Sequence, residues 1–262
     1  IDHLPTNLLT WLTIRNYGFS DATEIFIFIS GYTAAFVYGR AMLEGGFVIA
    51  TARILRRVWQ IYVAHVLLFV FYAAAIGYVA QRYGDSHLLD EFNVAGLIEQ
   101  PVATLTQGLM LKFKPLNLDV LPLYIVLMAG FPLPLILWLM KWKPDVTLGL
   151  SVVLYALTWQ FDLYLSAYPN GFWAFNPFAW QLLFTLGAWA ALGGRARLQA
   201  LARSRAVLAA SIAFVVFAAV VTLADRLGTT AFLPTGMLEW FVPNDKTNLA
   251  PYRVLHFLAV AV

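Results

Sequence analysis

Six apolar stretches, each about the length needed to cross a bilayer, occupy most of this 262-residue chain: Ala22–Leu43, Val58–Val79, Val120–Met140, Val146–Leu165, Phe172–Leu192 and Ala206–Ala224. A spanning helix takes roughly 20 mostly apolar residues, and a soluble domain rarely has room for one such run. Only 12% of the residues are charged against 61% hydrophobic, about half the charged share of ordinary soluble domains. The chain therefore reads as an all-α, polytopic transmembrane helix bundle. Ile1 is not an initiator methionine, and the apolar run from Tyr252 to Val262 is too short to span. The expectation is one integral-membrane domain over residues 1–262, with six complete spans and partial spans at both truncated ends.

Orientation follows from the basic residues. Arg40, Arg53, Arg56, Arg57, Lys141, Lys143, Arg195, Arg197, Arg203 and Arg205 fall at alternate loops. Excess Lys and Arg mark the cytoplasmic side, so residues 44–52 and 194–205 are expected inside, and 81–118 and 225–250 outside. The outer loops carry the other seven basic residues, together with most of the acids. The net charge of +3 thus reflects topology and gives no reason to expect nucleic acid as a partner. With no cysteine in the chain, a disulfide framework and a thiol nucleophile are both excluded within it. Between Leu88 and Lys114 the Val94–Leu111 segment mixes polar and apolar residues around Pro101, the pattern of a short interfacial or re-entrant helix.

Charged groups near a bilayer cost several kcal/mol unless paired or wetted, so they are the first candidates for function. One cluster lies at the expected outer face: Asp2-His3-Leu4-Pro5, then Arg15, then Gly18-Phe19-Ser20-Asp21-Ala22-Thr23-Glu24. His3 has an ordinary pKa near neutrality, which suits a general base. Its sequence neighbour Asp2 does not share its helix face, so an orienting carboxylate is better sought in Asp21 or Glu24. Those two also fit an N-cap and its N3 partner, which needs no catalysis. A second cluster, Arg53, Arg56 and Arg57, shares a helix face and can clamp phosphates through bidentate bonds. Basic residues also flank cytoplasmic helix ends for topology alone. Asn117, Asp119, Gln181 and His256 stand at helix starts or inside spans. Their plain alternatives are helix–helix hydrogen bonding for Gln181 and a packed or snorkelling Arg253–His256 pair.

Several segments together resemble the OpgC family. They are the Asp-His-Leu-Pro end, Arg15 with the Gly-Phe-Ser-Asp-Ala-Thr-Glu block, Ser30-Gly31 with Tyr38-Gly39-Arg40, Asn117 to Tyr124, and Asn176-Pro-Phe-Ala-Trp-Gln-Leu-Leu-Phe184. The resemblance covers nearly the whole chain and implies a multi-span protein of the bacterial inner membrane that succinylates osmoregulated periplasmic glucans. It is similar, more widely, to the acyltransferase 3 superfamily, in which a helix-end histidine is paired with a cytoplasmic R-x-x-R; the matching residues are His3, Arg53 and Arg56. The resemblance implies acyl-CoA (succinyl-CoA above all) as donor substrate, no permanently bound cofactor, and the lipid bilayer and a periplasmic glucan as partners. Arg53, Arg56 and Arg57 would hold CoA phosphates, and His3, helped by Asp2, Asp21 or Glu24, would deprotonate the attacking hydroxyl. Arg15, Asn117, Asp119, Gln181 and His256 would position acceptor or acyl group. A multi-span transporter of a small molecule or lipid-linked sugar is the alternative, though such proteins carry paired repeats with helices broken near the midplane, and no internal repeat is visible here.

Overall fold

The computed structural model describes residues 8–129, 139, 142–229, 234, 236–241 and 244–262. Among these the fold is all-helical, apart from one isolated antiparallel bridge between Ser166 and Phe172. Helix α1 (Ala22–Ala34) passes through a π-helical turn at Ala35–Gly39 directly into α2 (Arg40–Tyr83). The segment expected to connect the first two spans is therefore helical on both sides of a single break at Gly46. That residue sits at φ 81° and ψ 177°, where a side chain is strained and glycine is not. Among the described residues, no atom beyond its own neighbours lies within 4 Å of where its Cβ would stand, so the dihedral and not crowding demands glycine there.

The segment around Pro101 forms two short helices, α4 (Gly96–Glu99) and α5 (Pro101–Leu109), after α3 (His87–Glu91). Then come α6 (Val120–Ala129), α7 (Pro144–Phe161), α8 (Pro177–Trp189), α9 (Arg195–Ala202), α10 (Arg205–Leu227) and α11 (Pro251–Val260). Two boundaries differ from the hydropathy reading for identifiable reasons. Helix α8 begins at Pro177 and not at Phe172, because Asn176 caps it with its side chain and proline occupies the first turn. Helix α7 stops at Phe161, where Asp162 turns left-handed. The remainder of the third apolar stretch, residues 130–138 and 140, lies outside the described residues.

Two described helical runs are long and apolar enough to cross a membrane, Ala22–Tyr83 and Arg205–Leu227. The other apolar stretches are divided among shorter helices. Helix α8 runs on through a π-helical turn at Ala190–Gly194 that is broken at Gly193, so at 1.5 Å per residue the helix before the break rises about 24 Å, against a hydrocarbon layer of about 30 Å. Much of the outward surface is nevertheless oily: Val48, Trp59, Phe71 and Tyr78 are each more than 60% exposed.

The packing that joins α1 to the rest of the fold is above all its crossing with α8. A Cβ on Gly31 would stand 1.9 Å from the backbone oxygen of Phe184, and one on Gly187 2.1 Å from that of Phe28. Small residues let the two backbones touch, the usual means of joining helices when no hydrophobic gain separates protein from lipid. Gly31→Val should accordingly push the helices apart and lower the melting temperature in detergent, by more than the ~1–3 kcal/mol of ordinary core overpacking. Gly77→Ala, where no other described residue comes within 4 Å of the added Cβ, should leave the melting temperature unchanged or raise it. Equal melting of Gly31→Val and the native chain would contradict this crossing.

Candidate functional site

The polar centre of the molecule lies where the N-terminus of α1 meets the loop before α11. Asp21 is the N-cap of α1, its Oδ1 accepting from the Thr23 backbone N–H at 2.8 Å, while Glu24 Oε2 accepts from the Asp21 N–H at 2.9 Å. The capping box expected from the sequence is complete. Both carboxylates do more than cap. Arg253, in the first turn of α11, donates from Nε to Glu24 Oε1 at 2.7 Å, with Nη2 in ion-pair contact with the same oxygen at 2.5 Å. The Asp21 Oδ2 receives Lys246 Nζ at 2.6 Å and lies 3.4 Å from Arg253 Nη2. Glu24 is fully buried and Arg253 only 3% exposed, so this is a desolvated ion-pair network. The snorkelling reading of Arg253 is thereby corrected: its guanidinium points inward because two carboxylates are there to receive it.

Electrostatics follow from the packing. Burial alone raises the Asp21 carboxyl, but the Lys246 ammonium and the Thr23 backbone N–H outweigh it and hold the group well below the usual carboxylate range. Asp21 is thus an ionised anchor and no proton carrier near neutral pH.

The loop that presents Lys246 is pinned at several points. Asn176, wholly buried, donates from Nδ2 to Leu163 O at 2.7 Å and to Asn248 Oδ1 at 3.0 Å, and its own N–H bonds Thr247 O. Trp180 Nε1 reaches Lys246 O at 3.0 Å, Tyr155 donates its hydroxyl to Leu249 O at 2.7 Å, and Asn244 Nδ2 bonds Phe19 O at 2.9 Å. Above this floor opens a cavity of about 340 Å³ whose lining includes Arg15, Asp21, Asn117, Arg226, Lys246 and Arg253. Four cations against two carboxylates, Asp21 and Asp225, make it net positive, suited to an anionic or strongly polar guest.

Of the other sequence candidates, His256 lies one turn beyond Arg253, beneath this cavity, with Nδ1 2.7 Å from Ser20 Oγ. Asp119 belongs to a neighbouring cavity of about 300 Å³ with Lys114. Burial lowers the Lys114 ammonium to about 8 against the opposing pull of Asp119, and burial raises the Asp119 carboxyl with Lys114 opposing. Lys114 also sits 3.8 Å over the Trp173 ring. Gln181 is elsewhere, between α7 and α8. Its Oε1 accepts from Ser151 Oγ at 2.6 Å and its Nε2 donates to Ser151 O at 2.8 Å, so its amide is engaged in helix–helix bonding. Arg53, Arg56 and Arg57 are exposed on α2. Arg57 reaches Gln60 at 3.4 Å, while Arg53 and Arg56 have no hydrogen bond or ion pair among the described residues and present their forks outward. His3 and Asp2 lie outside the described residues.

Sequence reasoning missed Lys246 and Ser20. The visible signal for the first was Asn244-Asp-Lys-Thr-Asn248, five polar residues between apolar runs. Nothing but the fold pairs them with α1.

A family model described as OpgC protein matches residues 1–262, the whole chain. No curated protein and no solved structure matches it.

Proposed function

The chain belongs to the OpgC family, which points to a role in modifying osmoregulated periplasmic glucans, and from that premise we propose that it is an inner-membrane O-acyltransferase. In this reading it passes an acyl group, succinyl foremost, from cytoplasmic acyl-CoA to glucan hydroxyls outside. The six apolar stretches are its spans, with the alternate basic loops inside. Arg53 and Arg56, whose guanidinium groups face outward from α2 without protein partners among the described residues, take the CoA phosphates as bidentate clamps. His3 removes the proton from the attacking hydroxyl.

The observation that carries the reading is the cationic outer cavity over the Asp21–Lys246–Arg253–Glu24 network. A neutral glucan hydroxyl and an incoming acyl carboxylate both need hydrogen-bond donors, and such donors hold their geometry only if their own charges are fixed. Asp21 and Glu24 then serve as braces for Lys246 and Arg253, and Arg15 and Asn117 complete the wall.

The test is transfer of label from acyl-CoA to glucan by the protein in sealed vesicles, with donor and acceptor on opposite sides. Labelled glucan supports the proposal. Movement of donor or sugar across the vesicle with no covalent product would replace it with the transporter reading. Arg53→Ala and Arg56→Ala should raise the KM for acyl-CoA while the protein stays inserted and folded. Lys at either position should rescue only in part, since a point charge lacks the fork geometry. Unchanged donor dependence in both alanine variants makes these arginines topology signals alone.

A further inference from the structure

We propose that Ser20, with His256 as its base, is an acyl-carrying nucleophile, holding the acyl group as an oxygen ester between donor and acceptor; this rests on the acyltransferase reading above. The pair is built with more care than packing requires. Ser20 Oγ lies 2.7 Å from His256 Nδ1, and the backbone N–H of Ser20 points to the same nitrogen at 3.3 Å. A backbone N–H can only donate, so Nδ1 is the lone-pair nitrogen and the Ser20 hydroxyl must give it its hydrogen bond. That is the arrangement in which a histidine takes a proton from an attacking serine.

Both residues are 4% exposed. The ring fits only because residue 18 is glycine, where a Cβ would stand 2.2 Å from His256 Nε2. Phe19 and Phe214 flank it, ring centroids 6.0 and 6.4 Å away. Nε2 itself has no hydrogen-bond partner among the described residues, and a buried polar atom left in that state calls for an explanation. Joining α1 to α11 does not supply one, because Arg253 and Glu24 already do so one turn away.

Position supplies the rest. Ser20 lines the cationic outer cavity and also a second, apolar cavity of about 540 Å³ walled by Phe28, Phe257 and His256. It therefore stands in the partition between an oily chamber and the polar mouth. A donor held from the cytoplasmic side and an acceptor confined to the outer side need not meet if a residue in that partition takes the acyl group first. With no cysteine in residues 1–262, a carrier within them must be an oxygen or nitrogen nucleophile.

The steps balance. In the first, Ser20 Oγ bonds the thioester carbonyl carbon, its proton passes to His256 Nδ1, and the C–S bond breaks to release CoA thiolate. In the second, a glucan hydroxyl attacks the ester carbon and its proton goes to His3. The bond to Ser20 Oγ then breaks, and Oγ recovers the proton from His256. The net products are the glucan ester, CoA thiolate and one proton released to water.

The experiment incubates the reconstituted protein with succinyl-CoA in the absence of glucan, quenches in acid and reads the intact mass and the peptide carrying Ser20. One acyl group per chain, on Ser20 and discharged when glucan is added, is the expected result. Ser20→Ala keeps its backbone bond to His256, so it should fold, lose the adduct and lose at least 10²-fold in transfer. His256→Gln should slow adduct formation by about 10²–10⁴-fold. Wild-type protein that labels glucan with no adduct on rapid quench, or an adduct on another residue, or a Ser20→Ala variant of near-normal turnover, overturns the relay while the acyltransferase reading stands. Wild-type protein giving neither adduct nor labelled glucan overturns both.

Discussion

His3→Ala is expected to lower turnover by about 10²–10⁴-fold, the usual contribution of a positioned general base, with the KM for acyl-CoA little changed if the proposed function holds. His3→Gln does not restore the rate, since an amide can hydrogen-bond a hydroxyl but cannot accept its proton at neutral pH. The pH–rate profile of the native protein should then have an ascending limb from histidine titration, and that limb should vanish in the alanine variant. Asp21 offers a control. As an N-cap paired with Lys246, Asp21→Asn should cost stability and leave the position of the limb where it was, because an anchor held ionised contributes no titration there. A His3→Ala protein with near-normal turnover removes histidine base catalysis by this residue, whatever becomes of the other assignments.

Arg253→Met should destabilise the protein by about 3–5 kcal/mol, the cost of leaving a buried charge without its partner. Glu24 has no exposed surface, so water cannot replace the donor and the counter-charge it loses. Asp21 loses a weaker contact at 3.4 Å and keeps Lys246. Arg253→Lys should recover only part, since one ammonium does not reproduce a guanidinium that donates from Nε to Glu24 and from Nη2 to Asp21. The double variant Arg253→Met with Glu24→Gln separates the causes. It should be more stable than Arg253→Met alone, because the orphaned charge is gone. If the double variant melts no higher than the single one, lost packing and not an unpaired carboxylate accounts for the damage. Thermal melting in a single detergent reads all three variants.

Hydropathy read the last long helix closely: Ala206–Ala224 was expected, and α10 runs Arg205–Leu227 between the Ser204 cap and the left-handed Gly228. Its signal is local, a run of apolar residues between a cap and a glycine. The start of α8 was misplaced because Phe172, Trp173 and Phe175 are as apolar as a span yet belong to a loop. The Asn-Pro pair that marks the true start was visible and outweighed by hydropathy. The Gly46 break falls in a Gly45-Gly46 pair, a breaker signal with no indication of which glycine turns. At the site, the capping box was legible because its partners are three residues apart. The closing of that box by Arg253 was not, since no periodicity links residues 229 positions apart. Gln181 showed the reverse: its burial was legible, and its partner Ser151 on another helix was not.

That separation of 229 residues has a consequence in time. At translation speeds of roughly 5–20 residues per second, Glu24 emerges on the order of 10–45 s before the arginine that neutralises it. During that interval α1 has its acidic end in place and nothing to satisfy it, so the carboxylate must stay hydrated or protonated until α11 arrives. Docking of α11 is then what dries out this corner of the protein and fixes Lys246 and His256 beside α1. Until α11 docks, a nascent chain remains open to water at the place where the folded molecule is dry.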